Sequence, residues 1–317
     1  METLILSQND VRQLLTVELS LAAVERAFAA HGRGEAIVPP FIDVVLPHHH
    51  GHFRAMPAYF GGSVGVKWVN SHPENPKRHG LPAVRAVYIL NDPSTASPLA
   101  IMDATLLTAH RTGAAAAIAT KYLAGTPTTL GLVGCGAQSR QIVEAHRALF
   151  PGIELRCADV ARQAAERLAA SFAGQAVSLA EAAACEVVCT ITPSEIPLVR
   201  REWIASGAHL NAMGADAPGK RELDVRILED ARVFVDDVDQ AVLSGEVNVP
   251  IAKGELSADH IYATLGELVA GRVTGRKDSA ITVFDSTGLA VQDAALARAI
   301  FDAAGDKGVG TSIEITG

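Results

Sequence analysis

The chain has 317 residues, of which 49% are hydrophobic and 5% aromatic, and its formal net charge is -8 at pH 7. This aliphatic composition is typical of α/β enzymes, and the length suits about two domains. The acidic balance excludes the basic surface by which proteins bind nucleic acid or an anionic membrane, so neither is an expected partner. No apolar run approaches the ~18 residues of a membrane span and no signal-peptide pattern is present, so we expect a cytoplasmic protein.

The first third of the chain predicts two helices followed by a sheet. Ser7 and Asp10 have the spacing of a capping box at a helix start, and a second helix is expected over residues 18–31. Short turn-rich links, which favour an antiparallel or mixed sheet, separate the strand-like segments that follow. These segments are residues 41–46, 52–59, 63–69, 83–90 and 98–102.

The remainder alternates strands with helices. A helix predicted over residues 103–123 leads into strands at 129–134, 153–158, 186–192, 208–214, 231–236 and 280–285, with helices between the early ones. A last helix, 290–304, is expected to pack back on the first domain. The fold class is therefore α/β: a Rossmann domain over residues 119–289, and an α+β domain for dimerisation and substrate from residues 1–118 with 290–317.

A glycine turn links the strand that begins at Thr129 to the next helix. Gly134 would permit a tight turn and Gly136 would let the backbone approach a pyrophosphate, while the helix start near Ala137 would offer N–H groups to it. Ser139 stands at the third small position of the fingerprint. A lone glycine pattern is weak evidence, because ordinary turns share it.

Asp159 strengthens this interpretation. It ends the second strand of the unit, where a carboxylate would accept hydrogen bonds from the adenosine ribose and would repel a 2′-phosphate, so NAD is predicted over NADP. The alternative is that Asp159 caps a helix beginning at Val160, and one side chain could do both.

Three cations, Arg54, Lys67 and Arg111, interrupt otherwise apolar segments. Alternation along its strand places Lys67 on the face opposite Val66 and Trp68. Each cation taken alone is more often a surface charge, but together they could form a pocket for a carboxylate.

Asp216 lies just beyond the predicted strand that begins at residue 208, the edge where open α/β sheets bind ligands. It could exchange protons with an amine or with an imine-derived water. The alternative is an Asx-turn before Pro218.

The cysteines and clustered histidines do not predict a metal site. Cys135, Cys157, Cys185 and Cys189 lack paired zinc-ligand spacing and are expected to be free thiols in the core. The histidines at residues 48–50 and 52 are adjacent and have no carboxylate or cysteine nearby, which favours a polar hairpin tip.

Longer segments resemble the ornithine cyclodeaminase/μ-crystallin family, and within it the alanine dehydrogenase branch. They are Arg54-Ala-Met-Pro-Ala-Tyr59, Gly65-Val-Lys67-Trp-Val-Asn70, His110-Arg111-Thr112-Gly-Ala, Gly134-Cys-Gly136-Ala137-Gln138, Asn211-Ala-Met213-Gly214-Ala-Asp216 and Thr282-Val-Phe-Asp-Ser286-Thr-Gly-Leu-Ala-Val-Gln-Asp293.

The resemblance implies a homodimer, NAD on the second domain, and an amino acid, imine or 2-oxo acid as substrate between the domains. It implies that Lys67 and Arg111, with Arg54, hold the substrate carboxylate, and that Asp216, aided by Lys67, is catalytic. Hydride transfer from Cα gives an imine, which is either hydrolysed or attacked by a side-chain amine. The predicted cofactor-binding residues are Thr112, Gly134, Gly136, Ala137, Gln138, Asp159, Thr190, Thr192, Met213, Gly214 and Ser286.

Two departures bear on the substrate. Phe41 stands where many family members have a cation, and Arg54 replaces the Glu that suits ornithine, whose side-chain ammonium an arginine would repel. An NAD(H)-dependent oxidoreductase of a small L-amino acid is the first hypothesis. The alternatives are an ornithine cyclodeaminase with recycled NAD, and a binding protein without turnover, for which the missing cation at Phe41 argues.

Overall fold

The computed structural model describes residues 2–315, which divide into two compact units. The first runs from the N-terminus to Arg111 and resumes at Leu289, and the second is Thr112–Gly288. The division falls inside one long helix, earlier than the predicted boundary at residue 118. Each unit is described by itself below.

The first unit combines a sheet with helices on one side. Its elements in chain order are β1 (Glu2–Leu6), α1 (Gln8–Leu14), α2 (Val17–Arg33), β2 (Ile42–Leu46), β3 (Gly51–Phe60), β4 (Ser63–Ser71), α3 (Asn75–Arg78), β5 (Val84–Asn91), β6 (Pro98–Asp103) and the start of α4 (Thr105–Leu123). The capping box at Ser7 and Asp10 is confirmed, since each side chain bonds the other's backbone N–H.

The sheet of the first unit has the order β15-β1-β6-β5-β4-β3-β2, where β15 is Thr311–Glu314. All neighbours are antiparallel except β1 and β6, so the predicted mixed sheet is confirmed. β1 and β15, which were not predicted, pair with each other from opposite ends of the chain. Helix α12 (Ala290–Lys307) packs in the core of this unit, where Val291, Leu296 and Ile300 are fully buried.

The second unit is a parallel sheet with intervening helices. Its elements are β7 (Thr129–Val133), α5 (Ser139–Leu149), β8 (Glu154–Ala158), α6 (Arg162–Ser171), β9 (Gln175–Ala176), α7 (Leu179–Ala183), β10 (Val187–Thr190), β11 (His209–Ala212), α8 (Val225–Asp230), β12 (Arg232–Val235), α9 (Val238–Ser244), α10 (Asn248–Ala252), β13 (Ile261–Thr264), α11 (Leu265–Val269) and β14 (Thr282–Asp285).

The strand order β13-β12-β14-β11-β10-β7-β8-β9 reverses direction between β7 and β10. All these pairs are parallel, which confirms the Rossmann prediction. Ligands of open α/β sheets bind at such a switch point, beyond the carboxyl ends of the strands. β13 was not predicted, because it lies in a polar stretch and covers only four residues.

Within residues 2–315, every helix is too short or too polar to cross a membrane. All four cysteines are free thiols; three are buried and Cys135 is partly exposed.

Candidate functional site

Lys67 is buried in the first unit, and the surface-charge alternative is wrong for it. It lies on β4 with Ser63 and Gly65 on the covered face of the sheet, whereas Trp68 is exposed on the other face. The lysine is 1% exposed, and its Nζ donates to Asp293 Oδ2 at 2.7 Å. A buried ammonium requires such a partner, which α12 supplies in its first turn.

Arg111 approaches the same carboxylate from α4. Its Nε lies 3.4 Å from Asp293 Oδ1 and its Nη1 3.4 Å from Gln292 Oε1, so both contacts are longer than usual hydrogen bonds. Gln292 Nε2 and the Tyr88 hydroxyl are buried and find no hydrogen-bond partner among residues 2–315. This cluster therefore has donor capacity that Asp293 does not use, as a site for an anion requires.

Arg54 is also buried, but its charge is offset. Its Nε and Nη2 donate to the two oxygens of Asp43 at 2.7 and 2.9 Å, and its guanidinium lies 3.7 Å from the centre of the Phe41 ring. Phe41 thus supports Arg54 by stacking instead of supplying a cation itself. Because Asp43 neutralises Arg54, its repulsion of a substrate ammonium is weaker than the sequence alone indicates.

The electrostatics of this cluster favour binding of one negative charge. Three cations, Lys67, Arg54 and Arg111, are paired with two carboxylates, Asp43 and Asp293, so these five side chains together carry one net positive charge. Burial and the two arginines lower the pKa of Lys67 to about 8 despite the attraction of Asp293. A carboxylate bound beside these side chains would therefore neutralise their net positive charge.

In the second unit, the glycine turn has the geometry that a dinucleotide site needs. Gly134 has φ +99°, and a Cβ there would lie 2.6 Å from Ile191 O, so only glycine fits. A Cβ on Gly136 would meet open space. Ser139 is buried and begins α5, and its hydroxyl donates to Gly136 O at 2.6 Å. Ala137 and Gln138 complete the turn before α5, and Gln138 makes no side-chain cap.

Asp159 follows β8 directly and ties that strand to the glycine turn. Its Oδ2 accepts from Cys135 N and its Oδ1 from Ala161 N, both at 2.7 Å. The expected helix start at Val160 is wrong: α6 begins at Arg162, and the bond to Ala161 is an Asx-turn. The carboxylate thus lies beside the predicted phosphate loop, where the ribose of a dinucleotide is expected.

The buried carboxylate of Glu222, which was not predicted as a site residue, bonds several predicted cofactor residues. It accepts from Thr190 Oγ1 and Thr192 N, each at 2.6 Å, and from Gly214 N at 2.9 Å. Met213 N donates to Thr190 O at 2.8 Å. Burial raises the pKa of Glu222 and these donors oppose that rise. The ends of β10 and β11 are thereby fixed to each other, next to the switch point between β7 and β10.

Asp216 lies in the loop after β11, as predicted, and is half exposed. Its Oδ1 pairs with Lys220 Nζ at 2.5 Å. Asn248 anchors the loop, because its Oδ1 accepts from Gly219 N at 3.0 Å and its Nδ2 donates to Lys220 O at 2.9 Å. Glu246 accepts from the backbone N–H of Glu222 and so holds the far end of the loop.

The other predicted cofactor residues, Ser286 and Thr112, are buried. Ser286 Oγ donates to Asp236 Oδ2 at 3.1 Å, next to the end of β14. Burial raises the pKa of Asp236 to about 6 and that of Asp285, the last residue of β14, to about 8. This unit therefore holds four buried carboxyl groups of raised pKa at one edge of its sheet: Glu222, Asp236, Glu246 and Asp285.

The histidine cluster forms part of an exposed turn between β2 and β3, as the hairpin interpretation predicts. Within residues 2–315, the His, Cys, Asp and Glu side chains form no group of three that could hold a metal ion.

Comparison with known proteins relates these features to a family. The chain matches the ornithine cyclodeaminase/mu-crystallin family over residues 1–308. It is 46% identical to the alanine dehydrogenase of Archaeoglobus fulgidus, covering 99% of both chains, and 34% identical to the iminosuccinate reductase of Paracoccus denitrificans, covering 98% of this chain and 100% of that one. A solved archaeal alanine dehydrogenase dimer with bound NAD is 45% identical, with a TM-score of 0.96 over the full length of both chains. The chain therefore belongs to the ornithine cyclodeaminase/mu-crystallin family.

Proposed function

We propose that this protein is an NAD(H)-dependent oxidoreductase that interconverts a small L-amino acid with its imine and 2-oxo acid, as an alanine dehydrogenase does. The observation that carries this proposal is the buried cluster of Lys67, Arg111 and Asp293, whose cations exceed its carboxylates. Together with the Arg54–Asp43 pair, it retains one positive charge. An α-carboxylate is the ligand that balances this charge.

The glycine turn after β7, together with Asp159, supports NAD as the cofactor. Gly134, Gly136 and the start of α5 offer backbone to a pyrophosphate, and Asp159 offers a carboxylate to the ribose. The similar archaeal chain was solved with NAD bound. When bound, NAD⁺ accepts a hydride from the amino-acid Cα, which leaves an imine and releases a proton.

The residues of the chain bind the substrate and move its protons. Lys67 and Arg111 hold the carboxylate, and Arg54 lines the same cluster. We assign proton transfer to Asp216, whose carboxylate takes a proton from the substrate amine or from the water that attacks the imine. Addition of that water releases ammonia and gives the 2-oxo acid. Lys220 Nζ lies 2.5 Å from Asp216 Oδ1 and so pairs with this carboxylate.

Replacement of Asp216 by Asn tests this assignment. We expect kcat for L-alanine oxidation to fall by about 10²–10⁴ while NADH binding, followed by nicotinamide fluorescence, is unchanged. Asp230→Asn, which removes an exposed carboxylate that pairs with Arg201 in the same unit, is the control and should retain turnover. Undiminished kcat in Asp216→Asn would refute the role of Asp216. Failure of the unmodified protein to oxidise any amino acid would refute the proposed function.

Ornithine cyclodeamination is the second candidate, because the Arg54–Asp43 pair removes much of the charge argument against a substrate ammonium. It predicts that the unmodified protein forms proline and ammonia from ornithine without net NADH. An assay that follows NADH from amino-acid oxidation would not reveal cyclodeamination, so proline and NADH are measured in parallel.

We also propose a homodimer formed through the first unit. Its sheet exposes an apolar patch, in which Trp68 on β4 and its register partner Val87 on β5 are 41% and 43% exposed. Such a patch marks an interaction surface, and the similar archaeal structure is described as a dimer. The cytoplasmic location stays a prediction.

A further inference from the structure

We propose that Asp43 restricts this site to substrates with a single carboxylate, because it holds Arg54 in an ion pair that a second carboxylate would need to break. This inference rests on the proposed amino-acid chemistry and names its substrate class. It makes Asp43 a specificity-determining residue, although Asp43 itself is a positioning residue that acts through Arg54.

The ion pair is built into the sheet. Asp43 on β2 is the direct register partner of Arg54 on β3, so the two side chains leave adjacent backbone positions. The two hydrogen bonds occupy Nε and Nη2, the edge by which an arginine holds a carboxylate with two bonds. Phe41 stacks on the guanidinium face at 3.7 Å and opposes rotation away from Asp43.

Arg54 also lies where a second substrate carboxylate would need a cation. Lys67 pairs with Met56 across β3 and β4, and Arg54 is two residues from Met56 on the same buried face. Lys67 and Arg54 are therefore diagonal neighbours at a separation of roughly 7–8 Å, within reach of one short dicarboxylic acid. An available guanidinium here would suit a dicarboxylate.

The charge balance leads to the same conclusion. One net positive charge in the cluster is neutralised by one substrate carboxylate, and a second would leave an unbalanced negative charge near the buried Asp293. Such a charge is costly in a largely buried site. Removal of the Asp43 charge would supply the missing positive charge and release the Nε and Nη2 edge of Arg54 from its carboxylate.

The test compares two inhibitors of equal size in the unmodified protein and in Asp43→Asn. Succinate carries two carboxylates, and succinamate carries one carboxylate and one amide in its place. Both are measured as competitive inhibitors of L-alanine oxidation, with L-aspartate and L-asparagine compared as substrates. We expect Asp43→Asn to improve succinate binding relative to succinamate by about tenfold, and to raise kcat/KM for aspartate relative to asparagine in the same direction.

The control is Glu35→Gln, which removes an acidic charge from the same unit where Glu35 pairs with Arg33 on the surface. It should leave both ratios unchanged. Equal ratios in Asp43→Asn and the unmodified protein, with alanine still oxidised, would overturn this inference and leave the proposed function intact. Absence of oxidation for every amino acid would overturn both.

Discussion

We expect Asp293 to set the pH range over which Lys67 can bind the proposed substrate carboxylate, and replacement of Asp293 by Asn tests this directly. The Lys67 ammonium is held in a buried site by one carboxylate oxygen at 2.7 Å. In Asp293→Asn the neutral side chain can still accept a hydrogen bond but offers no charge. The protonated form of Lys67 therefore becomes less favourable, and its pKa should fall below about 8.

The size of the shift follows from the distance. Two unit charges 2.7 Å apart interact by about 6 kcal/mol at an effective dielectric constant of about 20, which corresponds to about four pKa units. Structural relaxation and water entry reduce this, and opposite charges at this range shift pKa values by about 1–3 units in practice. We expect the pKa of Lys67 to lie at about 5–7 in the variant.

The assay is the pH dependence of oxamate inhibition, because oxamate stays ionised over the whole range. In the unmodified protein, binding should weaken as pH rises through about 8, where Lys67 loses its proton. In Asp293→Asn the same midpoint should move down by about two units. Asp302→Asn, on the exposed side of the same helix, should leave it in place. An unmoved midpoint in Asp293→Asn, in a variant that remains folded, would refute the coupling.

Two further predictions concern the second unit. In Glu222→Gln the amide NH₂ must face the N–H donor of Thr192 or of Gly214, so one of these hydrogen bonds is lost. We therefore expect NADH to bind about tenfold more weakly. An unchanged Kd by fluorescence titration would contradict this. The pKa of Asp285 is about 8 in the folded protein, against 3.8 in the unfolded chain. Between these pH values the unfolded chain releases a proton that the folded protein keeps, so the free energy of unfolding falls as pH rises. Asp285→Asn should therefore gain stability over the unmodified protein by up to about 1.4 kcal/mol per pH unit in that range, measured by urea unfolding, and a pH-independent difference would refute it.

Local pattern was sufficient to predict most of the fold. Strands β2 to β6 of the first sheet were predicted to within about two residues, because each is bounded by turn residues. The unbroken apolar run at Thr129–Val133 identified the first strand of the Rossmann unit. The short β13 gave no such signal. The pairing of β1 with β15 depends on contacts between residues 2–5 and 311–314, which no local pattern shows.

The candidate site could be predicted only in part, because contacts between residues far apart in the chain leave no local sequence pattern. Lys67, Arg111 and Asp216 stand out as charged residues in apolar or turn segments, yet the burial of Lys67 and Arg111 depends on a partner far away in the chain. Asp293 is 226 positions from Lys67. A buried acid in the first turn of a predicted apolar helix is the signal that could have identified it, because such a residue must be paired with a cation. Glu222, in a polar loop, offered no comparable signal.

The return of the chain to the first unit gives the C-terminal helix a chemical role as well as a structural one. α12 packs its apolar residues into the core of that unit, and the same register carries Asp293, in its first turn, to Lys67. A carboxylate there also interacts favourably with the positive end of the helix dipole, so α12 can present a negative charge in a buried place. Without it, Lys67 and Arg111 would be buried like charges with no carboxylate between them. The position of α12 therefore couples the folding of the first unit to the pairing of Lys67 and Arg111, the residues proposed to bind the substrate carboxylate.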